Sequence, residues 1–136
     1  MPSMTGDSGD FERAAIDIPA SVTLVGGIVR FLLDTLVSQS RLSSNHADQI
    51  TELIMRRESL GSTAVGRGIA LPHTQTDLIR ESIIVMGRCV RPVNWPRSLD
   101  GEPVSIVCLV ISPTSPDAHA KALESVAQRL RAIQSE

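Results

Sequence analysis

A nearly continuous apolar run from Val104 to Ile111 constrains the fold of this chain more than any other feature of its sequence. Pro103 and Pro113 bound the run, and proline is tolerated at the ends of a strand but not inside a fully paired one. A short apolar run between such breaks is typical of a strand that is covered on both of its faces. We therefore expect a buried strand here, with other elements packed on either side of it.

Helical periodicity predicts three helices around this strand. Apolar residues recur at helical spacing over 22–37, over a second segment that ends at Arg56 and Arg57, and from Pro116 onward. Proline is well suited to the first turn of a helix, and Asp117 adds a favourable negative charge there. The candidate N-caps are Ser21 for the first helix, Ser44 or Asn45 for the second, and Ser115 for the third.

Two further segments predict extended backbone. Residues 83–90 are rich in β-branched side chains, which favours a strand. Residues 61–73 contain three glycines and the short apolar fragment Ile69–Leu71, which indicates a structured loop with a strand fragment. Residues 91–103 contain three prolines and are predicted to form a loop. The order of helix, helix, strands and helix indicates an α/β or α+β sandwich.

The length of 136 residues is enough for one domain. The first ten residues are rich in Gly, Ser and Asp and lack the apolar stretch of a signal peptide. We therefore expect residues 1–17 to be a flexible lead-in and residues 18–136 to form a single domain.

Composition disfavours several classes of function. Thirteen Lys and Arg against fifteen Asp and Glu give a net charge of −2, so nothing in the charge balance favours binding to nucleic acid or to an anionic lipid surface. Aromatic residues make up 2%, too few for base-stacking platforms. No segment is long and apolar enough for insertion into a membrane. Cys89 and Cys108 lie in apolar stretches and are expected to be buried, reduced thiols, which fits a cytoplasmic location.

His73 is the first candidate for chemistry. It follows Pro72 at the end of the apolar fragment, so the backbone presents it at a rigid corner. Gly61, Ser62 and Thr63 lie upstream, and such a loop is able to point several N–H groups at one anion. With Arg57 nearby in sequence, a phosphate site is a reasonable hypothesis. Local spacing leaves open that His73 only stabilises a turn.

His119 is the second candidate. It lies on the apolar stripe of the last helix, close to the helix N-terminus, and is expected to face the sheet near the end of the 104–111 strand. A core histidine bonded to a backbone carbonyl is the alternative at this position. His46 opens the second predicted helix among polar residues and is expected to be solvated.

Other motif interpretations fail in detail. Residues 61–68 have the glycine spacing of a P-loop, but Arg67 and Gly68 stand where Lys and Ser or Thr are required. Leu71 replaces the third glycine of a dinucleotide-binding fingerprint. The two candidate histidines and a cysteine lack the spacing of a zinc site. A Cys–His hydrolase requires an exposed thiolate, which two buried cysteines do not provide.

The segment from Arg57 to His73, RESLGSTAVGRGIALPH, resembles the active-site signature of type-2 EIIA domains of the phosphoenolpyruvate-dependent phosphotransferase system (PTS), in its fructose, mannitol and nitrogen-regulatory branches. The stretch from Leu99 to Val104, the apolar strand and the helix opened by His119 follow the order of that family. The resemblance covers roughly residues 21–133. It departs at Thr74, where the family usually has a smaller residue.

This resemblance implies an α/β fold in which a mixed β-sheet is sandwiched by helices. It implies that His73 is the phosphoacceptor, that Arg57 is the active-site arginine, and that His119 is the second active-site histidine. Gly61, Ser62 and Thr63 are expected to line the pocket. The chemistry requires no metal or bound cofactor, because phosphoryl transfer between histidines depends mainly on positioning and charge stabilisation.

The resemblance also implies partners. The donor is expected to be phosphorylated HPr or its nitrogen-branch counterpart, and the acceptor an EIIB domain or a regulated protein target. A free-standing domain favours the nitrogen-regulatory branch over sugar transport. The alternative is a non-catalytic EIIA-like module that only binds or regulates other proteins, for which the larger Thr74 is the sequence argument.

Overall fold

The computed structural model describes residues 15–134, and for residues 132–134 only the backbone. These residues form six strands and three helices. In chain order they are β1 (Ile16–Ile18), α1 (Val25–Ser38), α2 (Ser44–Leu60), β2 (Ala64–Gly66), β3 (Ile69–Ala70), β4 (His73–Gln75), β5 (Ile83–Val93), β6 (Val104–Ser112) and α3 (Pro116–Gln134).

The six strands form one mixed sheet, which confirms the predicted fold class. The order along the sheet is β1-β5-β6-β3-β2, and β4 also pairs with β6. β5 and β6 are antiparallel, whereas β1 is parallel to β5, and β3 and β4 are parallel to β6. The predicted apolar strand, β6, therefore lies at the centre of the sheet.

Residues along β6 alternate between two hydrophobic cores. Val107, Leu109 and Ile111 pack into the larger core, on the face covered by α1 and α2. Cys108 and Val110 pack into the smaller core, on the face covered by α3. All five side chains are fully buried, so the prediction that this strand is covered on both faces is confirmed.

β3 and β4 lie along the same edge of β6 and are separated by Leu71 and Pro72. The Val110 N–H donates to the Pro72 carbonyl over 3.0 Å, so the chain stays attached to β6 through the break. β4 then begins at His73, in register with Val110. The proline-led corner that the sequence predicts is therefore fixed by the central strand.

The glycines upstream of this corner shape a hairpin. β2 and β3 are antiparallel and are joined by Arg67 and Gly68. Both residues have a positive φ, +58° for Arg67 and +78° for Gly68. Glycine adopts this conformation at little cost, which suits Gly68 to the turn. The Gly68 carbonyl accepts from the backbone N–H groups of Ser105 and Ile106, so this turn is attached to β6 rather than free to surround an anion.

Several predicted boundaries are wrong. Ile16 and Asp17 belong to β1, so the lead-in predicted over 1–17 is too long; its first fourteen residues, 1–14, lie outside the described residues. β5 continues to Val93, beyond the predicted end at residue 90. Since Val93 pairs with Val104 after a shift in register, pairing with β6 extends the strand into a segment whose prolines predict a loop.

Two of the three predicted N-caps are also wrong. α1 is preceded by Leu24, whose side chain makes no capping bond, so Ser21 is not the cap. α2 is capped by Ser43, one residue before the predicted pair, and the Ser43 hydroxyl accepts from the His46 N–H over 3.1 Å. The third prediction is confirmed, because the Ser115 hydroxyl accepts from the Ala118 N–H.

Candidate functional site

His73 lies at the start of β4 and is half-buried. Its Nδ1 is 2.8 Å from the carbonyl oxygen of Leu71. A carbonyl oxygen only accepts hydrogen bonds, so the hydrogen of the neutral ring lies on Nδ1 and the lone pair is on Nε2. The backbone two residues away thus selects one tautomer of His73 and leaves the lone pair of the neutral ring on Nε2.

His119 lies in the first turn of α3 and is held by the end of β6. Its Nδ1 is 3.1 Å from the hydroxyl oxygen of Ser112, the last residue of β6, which is fully buried. The rings of His73 and His119 are 5.5 Å apart between centroids and tilted by 41°. The structure therefore brings together two histidines that are 46 positions apart in the sequence, as expected for a shared site.

The His119 ring favours its neutral form. Partial burial lowers its pKa from the usual 6.5, and charge repulsion from His73 lowers it further. At neutral pH the unliganded site therefore holds an uncharged His119. An anion placed between the two rings would favour protonation of His119, because an opposite charge stabilises imidazolium.

Arg57 lies in the last turn of α2, which packs against β4. Its Nη1 donates to the Gly61 carbonyl over 2.8 Å, so the guanidinium is attached to the loop that follows the helix. A guanidinium has five N–H donors, and this bond leaves others free to bind oxygen atoms of an anion. The assignment of Arg57 to a phosphoryl site stays a prediction.

The loop residues differ in how many donors they retain. Thr63 is buried, and both its N–H and its hydroxyl donate to the Glu58 carboxylate. The Ser62 hydroxyl accepts from the Ala64 N–H over 3.1 Å and keeps its own hydrogen for another acceptor. Gly61 has open space beside its Cα. That these three residues line a phosphate pocket stays a prediction, and for Thr63 it would require exchange of existing bonds.

Glu58 is a residue that the sequence analysis did not single out. It is only 8% exposed, and its carboxylate accepts hydrogen bonds from Thr63 and from the indole N–H of Trp95. One sequence signal was present: Ile50, Ile54 and Glu58 follow each other at intervals of four, so Glu58 continues the buried stripe of α2.

Two competing kinds of chemistry gain no support from the geometry. Within residues 15–134, no three His, Cys, Asp or Glu side chains are grouped so that they would hold a metal ion. Burial raises the pKa of the Cys108 thiol to about 12 and also raises that of Cys89, so neither cysteine is a reactive thiolate at neutral pH.

Among the described residues, none of the helices has the length and the apolar character that a membrane span requires.

Comparison with known families gives a match over almost the whole domain. The model of the family described as phosphoenolpyruvate-dependent sugar phosphotransferase system, EIIA 2, matches residues 11–134. The match includes both histidines, Arg57 and the glycine-containing hairpin. It confirms the resemblance that the Arg57–His73 segment indicates.

Two curated relatives have names of different kinds. A nitrogen regulatory protein of Bradyrhizobium diazoefficiens is 34% identical over 101 residues, which is 74% of this chain and 65% of that protein. The PTS system 2-O-alpha-mannosyl-D-glycerate-specific EIIABC component of Escherichia coli is 31% identical over 121 residues, 87% of this chain and 18% of that protein. The chain thus spans less than two thirds of the length of either relative.

Solved structures agree on the fold. The crystal structure of the nitrogen regulatory protein IIA-Ntr from Neisseria meningitidis matches with a TM-score of 0.72 at 25% identity, covering 93% of this chain and 81% of that one. The complex of enzyme IIA-mannitol and phosphorylated enzyme IIB-mannitol from Escherichia coli gives a TM-score of 0.63 at 18% identity, covering 80% of this chain and 73% of that one. The second likeness is evidence for the fold alone.

Proposed function

The chain belongs to the EIIA 2 family of the phosphoenolpyruvate-dependent sugar phosphotransferase system, and we propose that it is a phosphocarrier that accepts a phosphoryl group on His73. The observation that carries the proposal is the 2.8 Å hydrogen bond from His73 Nδ1 to the Leu71 carbonyl, beside the ring of His119. This bond leaves Nε2 of the neutral ring with a free lone pair. Neutral imidazole with a free lone pair is the nucleophilic form of histidine.

The proposed transfer moves one phosphoryl group between two imidazole rings. His73 Nε2 attacks the phosphorus of a phosphohistidine on the donor carrier, and a new N–P bond forms. The N–P bond of the donor breaks, and its electron pair returns to the donor ring, which leaves as neutral imidazole because its other nitrogen keeps a hydrogen. His73 also keeps its Nδ1 hydrogen, so its ring becomes positively charged and its bond to the Leu71 carbonyl strengthens.

We assign charge stabilisation to the groups around His73. The incoming phosphoryl group is an anion, and it favours protonation of His119, which then donates a hydrogen bond to a phosphoryl oxygen. The unused donors of Arg57 and the Ser62 hydroxyl are suited to the remaining oxygens. These groups position the phosphoryl and stabilise its charge, which is the main protein contribution to phosphoryl transfer.

The proposed partners follow from this chemistry and from the relatives. The donor is phosphorylated HPr or its nitrogen-branch counterpart, and the acceptor is an EIIB domain or a protein whose activity depends on the phosphorylation state. The nitrogen regulatory relatives favour a regulatory output over sugar transport. The free, buried thiols of Cys89 and Cys108 support a cytoplasmic location, where thiols stay reduced.

A labelling experiment with a matched control tests the phosphocarrier role. The full chain is incubated with labelled phosphoenolpyruvate, the first enzyme of the system, and either HPr or its nitrogen-branch counterpart. We expect acid-labile label on the wild type, none on His73→Ala, and full label on His46→Ala. His46 is the control because it is also partly exposed but lies in the first turn of α2.

The possible results separate the two functions considered. Label that persists on His73→Ala contradicts the assignment of the phosphoacceptor. If the folded wild type takes no label from either carrier, the phosphocarrier proposal is wrong and the non-catalytic module is favoured. A partner protein that binds wild type and His73→Asp equally would then support that module.

A further inference from the structure

Glu58 follows Arg57 in α2, and its buried carboxylate accepts hydrogen bonds from Thr63 and Trp95. Its Oε2 accepts from the Thr63 N–H and from Trp95 Nε1, each over 2.9 Å, and its Oε1 accepts from the Thr63 hydroxyl over 2.7 Å. All three donors are neutral. A carboxylate that is buried in this way is costly unless its oxygens are bonded, so the residues that donate to it are held firmly in place.

The bonds of Thr63 continue toward His73 through the backbone. The Thr63 carbonyl accepts from the Leu71 N–H over 2.9 Å. The Leu71 carbonyl in turn accepts from His73 Nδ1 over 2.8 Å. An unbroken series of hydrogen bonds and peptide units therefore joins the Glu58 carboxylate to the ring nitrogen that sets the tautomer of His73.

The backbone of Glu58 fixes the loop on the Arg57 side. Its carbonyl accepts from the Gly61 N–H and from Arg97 Nη2, each over 3.2 Å. The Gly61 carbonyl is the acceptor for Arg57 Nη1. Glu58 therefore holds both ends of the loop that separates the proposed phosphate-binding arginine from the segment leading to His73.

We propose that Glu58 is a positioning residue for phosphoryl transfer, acting through Thr63 and Leu71 on the orientation and tautomer of His73. The inference rests on the proposed function of His73 as phosphoacceptor. If the Thr63–Leu71 contact loosens, the Leu71 carbonyl shifts and Nδ1 of His73 loses its fixed acceptor. The ring then also populates the tautomer with its hydrogen on Nε2. In that tautomer Nε2 has no lone pair available for attack.

Three variants separate this role from a purely structural one. Glu58→Gln keeps the side-chain shape but places an NH₂ group opposite one of the donors. Thr63→Val keeps the side-chain shape and the N–H bond but removes the hydroxyl bond to Oε1. Trp95→Phe is the matched control, because it removes one neutral donor from the same carboxylate and leaves both Thr63 bonds in place.

The measurements are the rate of phosphoryl transfer, the tautomer of His73 and the urea midpoint of unfolding. We expect Glu58→Gln and Thr63→Val to lower the transfer rate at saturating phospho-carrier on the order of tenfold, because small misplacements of a reacting group have effects of this size. The carrier concentration at half-maximal rate should stay unchanged. Nitrogen NMR of the unphosphorylated protein should show a larger fraction of His73 with the hydrogen on Nε2.

The control decides whether stability alone explains the result. Trp95→Phe should lower the urea midpoint about as much as Thr63→Val, yet keep the rate within about twofold and the His73 tautomer unchanged. If Thr63→Val has the rate and tautomer of the wild type, or if Trp95→Phe slows transfer equally, the positioning role is wrong. Thr63→Val decides the matter if Glu58→Gln does not fold.

The proposed function and this inference fail in different ways. If the wild type takes no phosphoryl group, the phosphocarrier role is wrong, and the tautomer measurement still tests the link between Thr63 and His73. If the wild type is phosphorylated on His73 and the two variants match it in rate and tautomer, only the inference about Glu58 is wrong.

Discussion

The two histidines of the site are held at the same ring atom by partners of different chemistry. His73 Nδ1 faces the Leu71 carbonyl, whereas His119 Nδ1 faces the Ser112 hydroxyl. A carbonyl only accepts, so it selects one tautomer. A hydroxyl both donates and accepts, so it leaves the His119 ring free to change its tautomer or to gain a proton.

The surroundings of the two rings reinforce this difference. His73 is fixed by backbone that is tied to β6 and, through Thr63, to the buried Glu58. His119 projects from the first turn of a helix, and its pKa is lowered by burial and by His73. In the proposed function, this difference gives the two rings different tasks: His73 acts as a nucleophile of fixed tautomer, and His119 as an adjustable donor of hydrogen bonds.

Among the substitutions that test this difference between the two histidines, His119→Ala is expected to lower the transfer rate most. Transfer to His73 should fall on the order of 100-fold, because the protonated ring that is proposed to donate a hydrogen bond to the phosphoryl group is lost. Phosphorylation of His73 should still occur at long incubation times, since its nucleophile is untouched. Rapid-quench measurement of the transfer rate checks this. A rate within about twofold of the wild type would show that the two rings do not share one reaction.

A smaller effect is expected from Arg57→Ala, on the His73 side of the site. The transfer rate should fall about tenfold, because a charged donor to the phosphoryl oxygens is lost. The free energy of unfolding should change by about 1 kcal/mol, the usual value of the single hydrogen bond lost at Gly61. Arg57→Lys is the control, because it keeps the charge but not the fork of donors. A stability loss with unchanged transfer would limit Arg57 to a structural role.

A few-fold effect is expected from Ser112→Ala, on the His119 side. Loss of the hydroxyl removes the partner of His119 Nδ1, so the transfer rate should fall about threefold to fivefold while the His73 tautomer stays unchanged. Thr114→Ala is the control, because it removes a hydroxyl bonded to Asp77 rather than to a histidine. A shift in the His73 tautomer in Ser112→Ala would contradict the independence of the two anchors.

The smallest expected effect is on the titration of His119. In the folded protein the pKa of His119 lies below 6.5, the usual value that applies to the unfolded chain. Between the folded pKa and 6.5, the unfolded chain therefore binds more protons at His119 than the folded protein does. The stability that the neutral His119 contributes is complete above pH 6.5 and decreases as the pH falls toward the folded pKa. In His73→Ala the pKa of His119 should rise toward 6.5, because repulsion from His73 is removed. An NMR titration checks the shift, and an unchanged or lower pKa would contradict the coupling of the rings.

The sequence predicts the centre of the fold better than its edges. The run at 104–111 was sufficient to predict a strand with two covered faces, because burial on both sides leaves an apolar residue at nearly every position. β1 has three residues, and its position depends on parallel pairing with Gly87, Arg88 and Cys89. Such pairing is nonlocal and leaves no periodic signal in a segment this short.

In the candidate site, too, features set by local sequence were predictable and features set by nonlocal contacts were not. The proline before His73 and the apolar stripe that contains His119 are local features, so the placement of both residues in the fold was predicted correctly, while their roles stay predictions. The anchors of the two rings were not predictable, because Leu71 acts through its backbone and Ser112 through a contact between strand and helix. Glu58 was missed because a charged residue in a helix usually faces solvent, and only its place on the buried stripe indicated otherwise.

The site of phosphorylation on the His73 ring tests most directly whether the Leu71 carbonyl defines the nucleophilic nitrogen. Nitrogen-15 NMR of the full chain, phosphorylated through phosphoenolpyruvate and the carrier proteins, distinguishes the two ring nitrogens by their chemical shifts and their couplings to phosphorus. We expect a phosphoryl group on Nε2 and a retained hydrogen on Nδ1. A phosphoryl group on Nδ1 would contradict the proposal, because the bond to the Leu71 carbonyl would then not define the nucleophile.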